Sequence, residues 1–136
     1  MTTKIDAAEI LGLNYRLLMS AIAAASPCIE GLGIETKELF VLAEIDAHPY
    51  PAELADVLHM PKATVTLYVK RLEASGHLRR EIDTGDLRKH RLKLTPSGYR
   101  ATRQGMKFLA QAFEPHLNRL SAAQQHDLKN ILERML

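Results

Sequence analysis

Between residues 34 and 96 the chain is cut into short pieces by proline and glycine, and these cuts limit its fold more than any other feature. A proline inside a helix removes a hydrogen bond and clashes with the preceding turn, so Pro49, Pro51 and Pro61 mark helix starts and breaks rather than helix interiors. The stretch TKELFVLAEIDAH carries Leu39, Leu42, Ala43 and Ile45 on one helical stripe and stops before Pro49. After Pro51, AELADVL is a second short helix with Leu54, Ala55 and Leu58 turned inward. A third, KATVTLYVKRLEASG, follows Pro61 and ends at Gly76 as its C-cap. At 100° per residue, Val65, Tyr68, Val69 and Leu72 share one face of it, and Ala63, Thr66, Leu67 and Lys70 the opposite one. From His77 the period drops to two. Leu78, Arg80 and Ile82 alternate with Arg79 and Glu81, then Leu92 and Leu94 with Arg91 and Lys93, which predicts a β-hairpin whose tight turn falls at Thr84-Gly85.

Long helices flank this segment. Ile10, Leu13, Leu17, Leu18, Ala21, Ile22 and Ala25 recur at helical spacing, predicting one helix from about Ile5 that ends near Pro27. Thr95-Pro96 caps and starts another, running to about Leu120 with a kink at Pro115. Ser121 and Gln124 form a capping box for a last helix carrying Leu128, Ile131, Leu132 and Met135. The first stripe is longer than one small core needs, so part of it is expected to meet another chain.

Composition narrows the class further. At 136 residues, 46% hydrophobic and 25% charged, the chain suits a single globular domain. It has no apolar run of the roughly 18 residues a membrane span needs, and MTTKIDAAEI lacks the apolar core of a leader, so the expectation is a cytoplasmic protein away from membranes. Cys28 is the single cysteine, which excludes an internal disulfide and CxxC chemistry. The histidines (His48, His59, His77, His90, His116, His126) are not paired at i, i+4 and read as surface or capping groups, so neither a metal nor a cofactor is expected. No Ser/His/Asp motif or phosphate loop points to an enzyme.

Charge is unevenly spread. Residues 70 to 100 hold nine basic and four acidic groups, a net of +5 in a chain of formal charge +2, so the remainder carries −3. A basic block on a mildly acidic protein suits a polyanionic partner. Two short helices, the second with a small polar outer face, followed by a basic hairpin are the parts of a winged helix-turn-helix. In that arrangement the second helix enters the major groove of double-stranded DNA while the hairpin, or wing, carries cations along the backbone or into the minor groove.

The residues ELA at 53–55, ATVTLYVKRLEASGHLRR at 63–80, and Asp86, Arg88, Leu94 and Thr95 of the wing resemble the MarR family (multiple antibiotic resistance regulators) over essentially the whole chain. The resemblance implies a mainly α fold with a small β wing, within which residues 1–33 and 96–136 are dimerisation helices and 34–95 the DNA-reading lobe. It implies that Arg88 enters the minor groove and that Asp86 holds the wing in shape. It also implies a homodimer on a pseudo-palindromic operator, acting as a repressor released by a small-molecule effector. Lys62, Ala63, Thr64, Thr66, Leu67 and Lys70 of the recognition helix (about 62–74), with Lys89 and Arg91 of the wing (about 83–91), complete the expected DNA-binding set, Lys62 and Arg91 as phosphate clamps. Leu67 stands where many members have arginine, and Leu87 where a second arginine is common. Leucine touches a thymine methyl but makes no bidentate guanine contact, so readout leans on backbone charge, wing and DNA shape.

Tyr15, Met19 and Phe40 are candidates for the effector pocket that the family places between dimer helices and DNA-reading lobe, with core packing as the alternative. Pro49, Tyr50 and Pro51 are read as shaping the turn between helices, with an effector site as the alternative. One family branch senses peroxides through a cysteine near the start of its first helix; Cys28 lies at the far end, so a buried or inert thiol is expected. A second function class remains open, a winged-helix protein-interaction module whose basic face docks an acidic partner. Salt-dependent binding to duplex DNA separates the two.

Overall fold

The computed structural model describes residues 3–136 and contains six helices and one two-stranded sheet among them: α1 (Ala7–Glu30), α2 (Thr36–Glu44), α3 (Pro51–Leu58), α4 (Lys62–Ala74), β1 (Leu78–Ile82), β2 (His90–Leu94), α5 (Pro96–Leu117) and α6 (Ala122–Met135). It is mainly α with a small antiparallel hairpin, as the sequence predicts. The chain divides into two compact units. One joins the N-terminal part through Ala25 to Leu109–Leu136, and the other is Ser26–Phe108. The boundaries fall inside α1 and α5, so the second unit holds the last turns of α1 and the first half of α5 besides the short helices and the hairpin.

Ser26–Phe108 holds most of the core: Ile29, Leu39, Val41, Leu42, Ile45, Leu54, Val65, Val69, Leu72 and Leu92 are all but sealed from solvent. The α2 stripe is as read for Leu39, Leu42 and Ile45, but Ala43 is exposed and Val41 takes an inward place. Val65, Tyr68, Val69 and Leu72 of α4 are buried, as its periodicity requires. Gly76, at φ +79°, ends α4 in the left-handed conformation that a side chain would strain. Two bonds close the turn: the His77 N–H donates to the Leu72 carbonyl at 2.9 Å and the Gly76 N–H to that of Glu73 at 3.1 Å, the Schellman pattern. The chain therefore leaves α4 sharply and enters β1 without a linker.

Three expectations are corrected in and beside the helices. Helix α1 does not end near Pro27 but runs through it to Glu30, because a ring in the last turn forfeits only one backbone bond, and the Gly31 N–H still reaches the Pro27 carbonyl at 3.1 Å. Of the two alternatives for Cys28, a buried or an inert thiol, burial is overturned: Ala25 and Ile29 of α1 face the core and Cys28 is exposed. His77 is buried rather than superficial, with Nδ1 2.6 Å from the Ser75 hydroxyl.

In the other unit, α6 starts at Ser121 with the expected capping box: the Gln124 N–H donates to the Ser121 hydroxyl at 3.2 Å, and the Ser121 N–H to the Gln124 side chain at 2.9 Å. Helix α5 runs through Pro115 to Leu117. Ile10, Leu13 and Leu18 of α1 and Ile131, Leu132 and Met135 of α6 are exposed, so much of the apolar surface that the sequence pattern assigns inward finds no cover in one chain. None of the helices among the described residues is long and apolar enough to cross a membrane.

Candidate nucleic-acid interface

Helix α4 presents Lys62, Ala63, Thr66, Leu67 and Lys70 to solvent, with Thr64 half-buried at the edge of that face. The surface is small and polar apart from Leu67, which is 47% exposed. The Thr66 hydroxyl donates to the Lys62 carbonyl one turn back at 2.9 Å, leaving its lone pairs outward. Arg71, next to this face, is drawn to Glu35 at 3.8 Å and lies 6.0 Å from the Tyr68 ring.

The hairpin pairs Leu78 with Leu94, Arg80 with Leu92 and Ile82 with His90 on one side, and Arg79 with Lys93 and Glu81 with Arg91 on the other. Leu78, Leu92 and Leu94 are buried, but Ile82 is 60% exposed, contrary to the inward place its alternation gives it. By that point the hairpin has left the body of the lobe. Part of the basic block is neutralised at the stem: Arg79 meets Glu81 at 3.0 Å and Arg80 meets Glu73 at 2.7 Å. Lys89, Arg91 and Lys93 form no ion pair among the described residues, so the unspent charge gathers toward the tip and on β2.

The tip is not the tight turn at Thr84-Gly85 that the sequence suggests. Seven residues, 83–89, join the strands, and Gly85 is outside the left-handed region. Two aspartates fold the loop through their side chains. Asp83 Oδ1 accepts from the Gly85 N–H at 2.8 Å, and Asp86 Oδ1 from the Arg88 N–H at 3.0 Å, each a turn of the Asx type. Backbone bonds close it, from the Asp83 N–H to the Lys89 carbonyl and from the Lys89 N–H to the Asp86 carbonyl, both at 2.9 Å. Asp86 thus shapes the loop directly beside Arg88, whose side chain is 93% exposed and, among the described residues, forms its one ion pair with Asp86, Nε to Oδ1 at 3.4 Å.

The wing is also tied to the turn before α3. The Leu92 N–H donates to the Pro49 carbonyl at 2.8 Å, the Tyr50 hydroxyl donates to Asp83 Oδ2, and the Lys89 ammonium lies 5.7 Å from the Tyr50 ring centroid. Pro49 and Tyr50 therefore do more than shape a turn. Asp83 and the tie from Tyr50 to it were missed in the sequence, although Asp-x-Gly is an Asx-turn signal and a tyrosine just before a first-turn proline occupies a place that usually holds a capping Ser, Thr or Asp.

The hydrogen bond from Tyr50 and then the Gly85 N–H hold the Asp83 carboxyl below the usual aspartate range, and the same bond to Asp83 raises the Tyr50 hydroxyl above its ordinary value. Asp83 is a depressed acid: its contribution to wing order is full above the unfolded aspartate value of about 3.9 and is lost only as pH falls through the lower folded value. In a carbon-detected NMR titration Asp83 should reach its midpoint below a free aspartate, while Tyr50→Phe should move that midpoint up. A midpoint unchanged by Tyr50→Phe would count against the bond.

Of the candidate pocket residues, Tyr15 (63% exposed) and Met19 lie on α1 in the first unit, and Phe40, half-buried, on α2 in the second. No group of three or more His, Cys, Asp or Glu side chains that could hold a metal occurs among the described residues.

The geometry can be set beside known proteins. Residues 32–89, from the loop before α2 to the end of the wing loop, match the MarR family sequence profile. That profile spans α2, α3, α4, β1 and the wing loop. Among curated proteins none matches the sequence significantly. The MarR fold extends over the whole chain: the reduced form of Escherichia coli MarR superposes with a TM-score of 0.78 at 21% identity, covering 99% of each chain. A Mycobacterium tuberculosis MarR family protein in complex with DNA superposes at 0.75 with 22% identity, over 97% of this chain and 98% of that one. A mutant of E. coli MarR complexed with operator DNA gives 0.77 at 21%, with 94% of each chain covered. The family consists of transcription regulators rather than enzymes.

Proposed function

We propose that this chain is a dimeric regulator of the MarR family that binds a pseudo-palindromic operator, placing α4 in the major groove and the wing in the adjacent minor groove. It represses transcription until a small molecule shifts the spacing of its two reading lobes. The observation that carries the reading is the wing: a loop folded by Asp83 and Asp86 presents Arg88 almost fully to solvent, in the same lobe as the small polar face of α4. The exposed apolar residues of α1 and α6 favour a second copy of the chain as their cover. DNA complexes of similar folds support the partner, and the M. tuberculosis protein's complexes with salicylic acid and p-aminosalicylic acid support an effector. Such an effector acts by binding one lobe spacing better than the other.

The test is selection of duplexes from a genomic-fragment pool across a salt series. Enrichment of a two-half-site sequence is expected, with a log–log salt slope of up to about −9 if Lys62, Lys70, Arg88, Lys89 and Arg91 of both protomers displace counterions. Weak binding of every fragment alike would discard the reading and bring the protein-interaction module forward.

A further inference from the structure

We infer that Tyr50 is the positioning residue of the wing: its hydroxyl, bonded to Asp83, sets where the loop carrying Arg88 stands, and through it the affinity for DNA. The inference rests on the DNA-binding reading and adds a residue outside the recognition helix and wing. It starts from a local departure. Tyr50 is the N-cap of α3, at extended angles (φ −115°, ψ 137°), yet its side chain makes no capping bond. Serine, threonine or aspartate at this position would satisfy one of the helix's free N–H groups. The side chain is instead spent on the wing, 33 residues away in sequence.

The wing has need of such a tether. An isolated two-stranded hairpin is marginal in water, and here apolar support stops at Leu78, Leu92 and Leu94. Farther out, Ile82 and Leu87 are 60% and 77% exposed and give the loop no apolar anchor. Among the described residues, the bond from Tyr50 is the one hydrogen bond from outside the hairpin that reaches loop 83–89. It lands on the residue best placed to pass its effect on. One oxygen of Asp83 takes Tyr50, the other takes the Gly85 N–H, and the Asp83 N–H bonds the Lys89 carbonyl across the loop. Holding Asp83 therefore holds both sides of the tip. A cleft of about 420 Å³ lined by Tyr50, Glu53, Lys89 and His90 lies between the start of α3 and the wing, and the Lys89 ammonium stands 5.7 Å from the Tyr50 ring centroid.

Two substitutions separate positioning from mere stability. Tyr50→Phe keeps the ring beneath Lys89 and removes only the hydroxyl. Tyr50→Thr removes the tether and supplies the missing helix cap. Both should bind the selected duplex at least about fivefold more weakly, the worth of one net hydrogen bond in each protomer of the dimer. Tyr50→Thr should nonetheless melt no lower than the wild type, so affinity and stability part company. In an Arg88→Ala background the further loss from Tyr50→Phe should fall below about twofold, because residues that act through one another are non-additive. Amide exchange gives a readout free of DNA: Gly85 and Arg88 should exchange faster in Tyr50→Phe, while α4 is unchanged. Unaltered exchange at these amides would overturn the tether even if the wild type proved not to bind DNA. Wild-type affinity in Tyr50→Phe, or a loss that persists undiminished without Arg88, would overturn its role in binding.

Discussion

Arg88→Ala is expected to leave the fold and assembly of the protein intact while weakening binding to a symmetric operator at least about thirtyfold, since each groove-reading arginine is worth about 1–3 kcal/mol and a dimer carries two. The two halves of this expectation have separate causes. Stability should hold within about 0.5 kcal/mol because the side chain is 93% exposed and, among the described residues, pairs with Asp86 alone, at a 3.4 Å distance that solvent screens. Affinity should fall because the wing offers no equivalent group at its tip. Leu87 cannot replace the cation, and Lys89 leans over the Tyr50 ring. Lys89→Ala and Arg91→Ala make the contrast. As phosphate-binding cations they should weaken all duplexes alike and flatten the salt slope by about one for each phosphate left unneutralised, whereas Arg88→Ala should also blur the choice of sequence. Affinity and selectivity of Arg88→Ala equal to the wild type, measured by titration against the selected duplex and a scrambled one, would remove the wing from the mechanism.

What could be read in advance follows the range of the forces involved. The short helices before the wing were legible because proline and glycine act on their own backbone, and the buried face of α4 because a 3.6-residue period needs no knowledge of its neighbours. The wing was legible as alternation plus charge. Its loop was not, because Asp83 and Asp86 fold it by side-chain bonds that replace the left-handed glycine a tight turn requires. Nor was the tether from Tyr50, whose partner is 33 residues away and lies there only once α3 and the hairpin are packed. Pro27 misled for the converse reason. A proline one turn from a helix end costs little, so a strong breaker in general is a weak one there. Cys28 shows the same limit, because helical spacing fixes which residues share a face but not which face meets the core.

Gly98→Ala should be among the most destabilising single changes in the lobe, costing at least about 3 kcal/mol and taking DNA binding with it. A methyl group at Gly98 would stand 1.9 Å from the His77 carbonyl oxygen and 3.0 Å from its carbon, and a backbone oxygen cannot swing aside as a side-chain tip can. That carbonyl is already engaged, accepting from the Thr95 N–H at 3.1 Å. Thr95 in turn donates its hydroxyl to the Gly76 carbonyl at 2.6 Å and accepts from the Gly98 N–H at 3.0 Å, so one residue fastens the first turn of α5 to the sharp exit from α4. Pushing Gly98 away breaks those bonds together. It also disturbs Leu94, 3.4 Å from the added methyl, and with it the Leu78–Leu94 pair at the root of the wing. Gly105→Ala is the calibrating comparison. Its methyl would meet Leu39 side-chain carbons at 2.6 and 2.8 Å, and a leucine can shift, though a fully buried one at a cost of about 1–3 kcal/mol. Chemical denaturation should therefore rank Gly98→Ala well below Gly105→Ala. The reverse order would mean that α5 can move off the α4–β1 junction without penalty, and that the wing is rooted elsewhere.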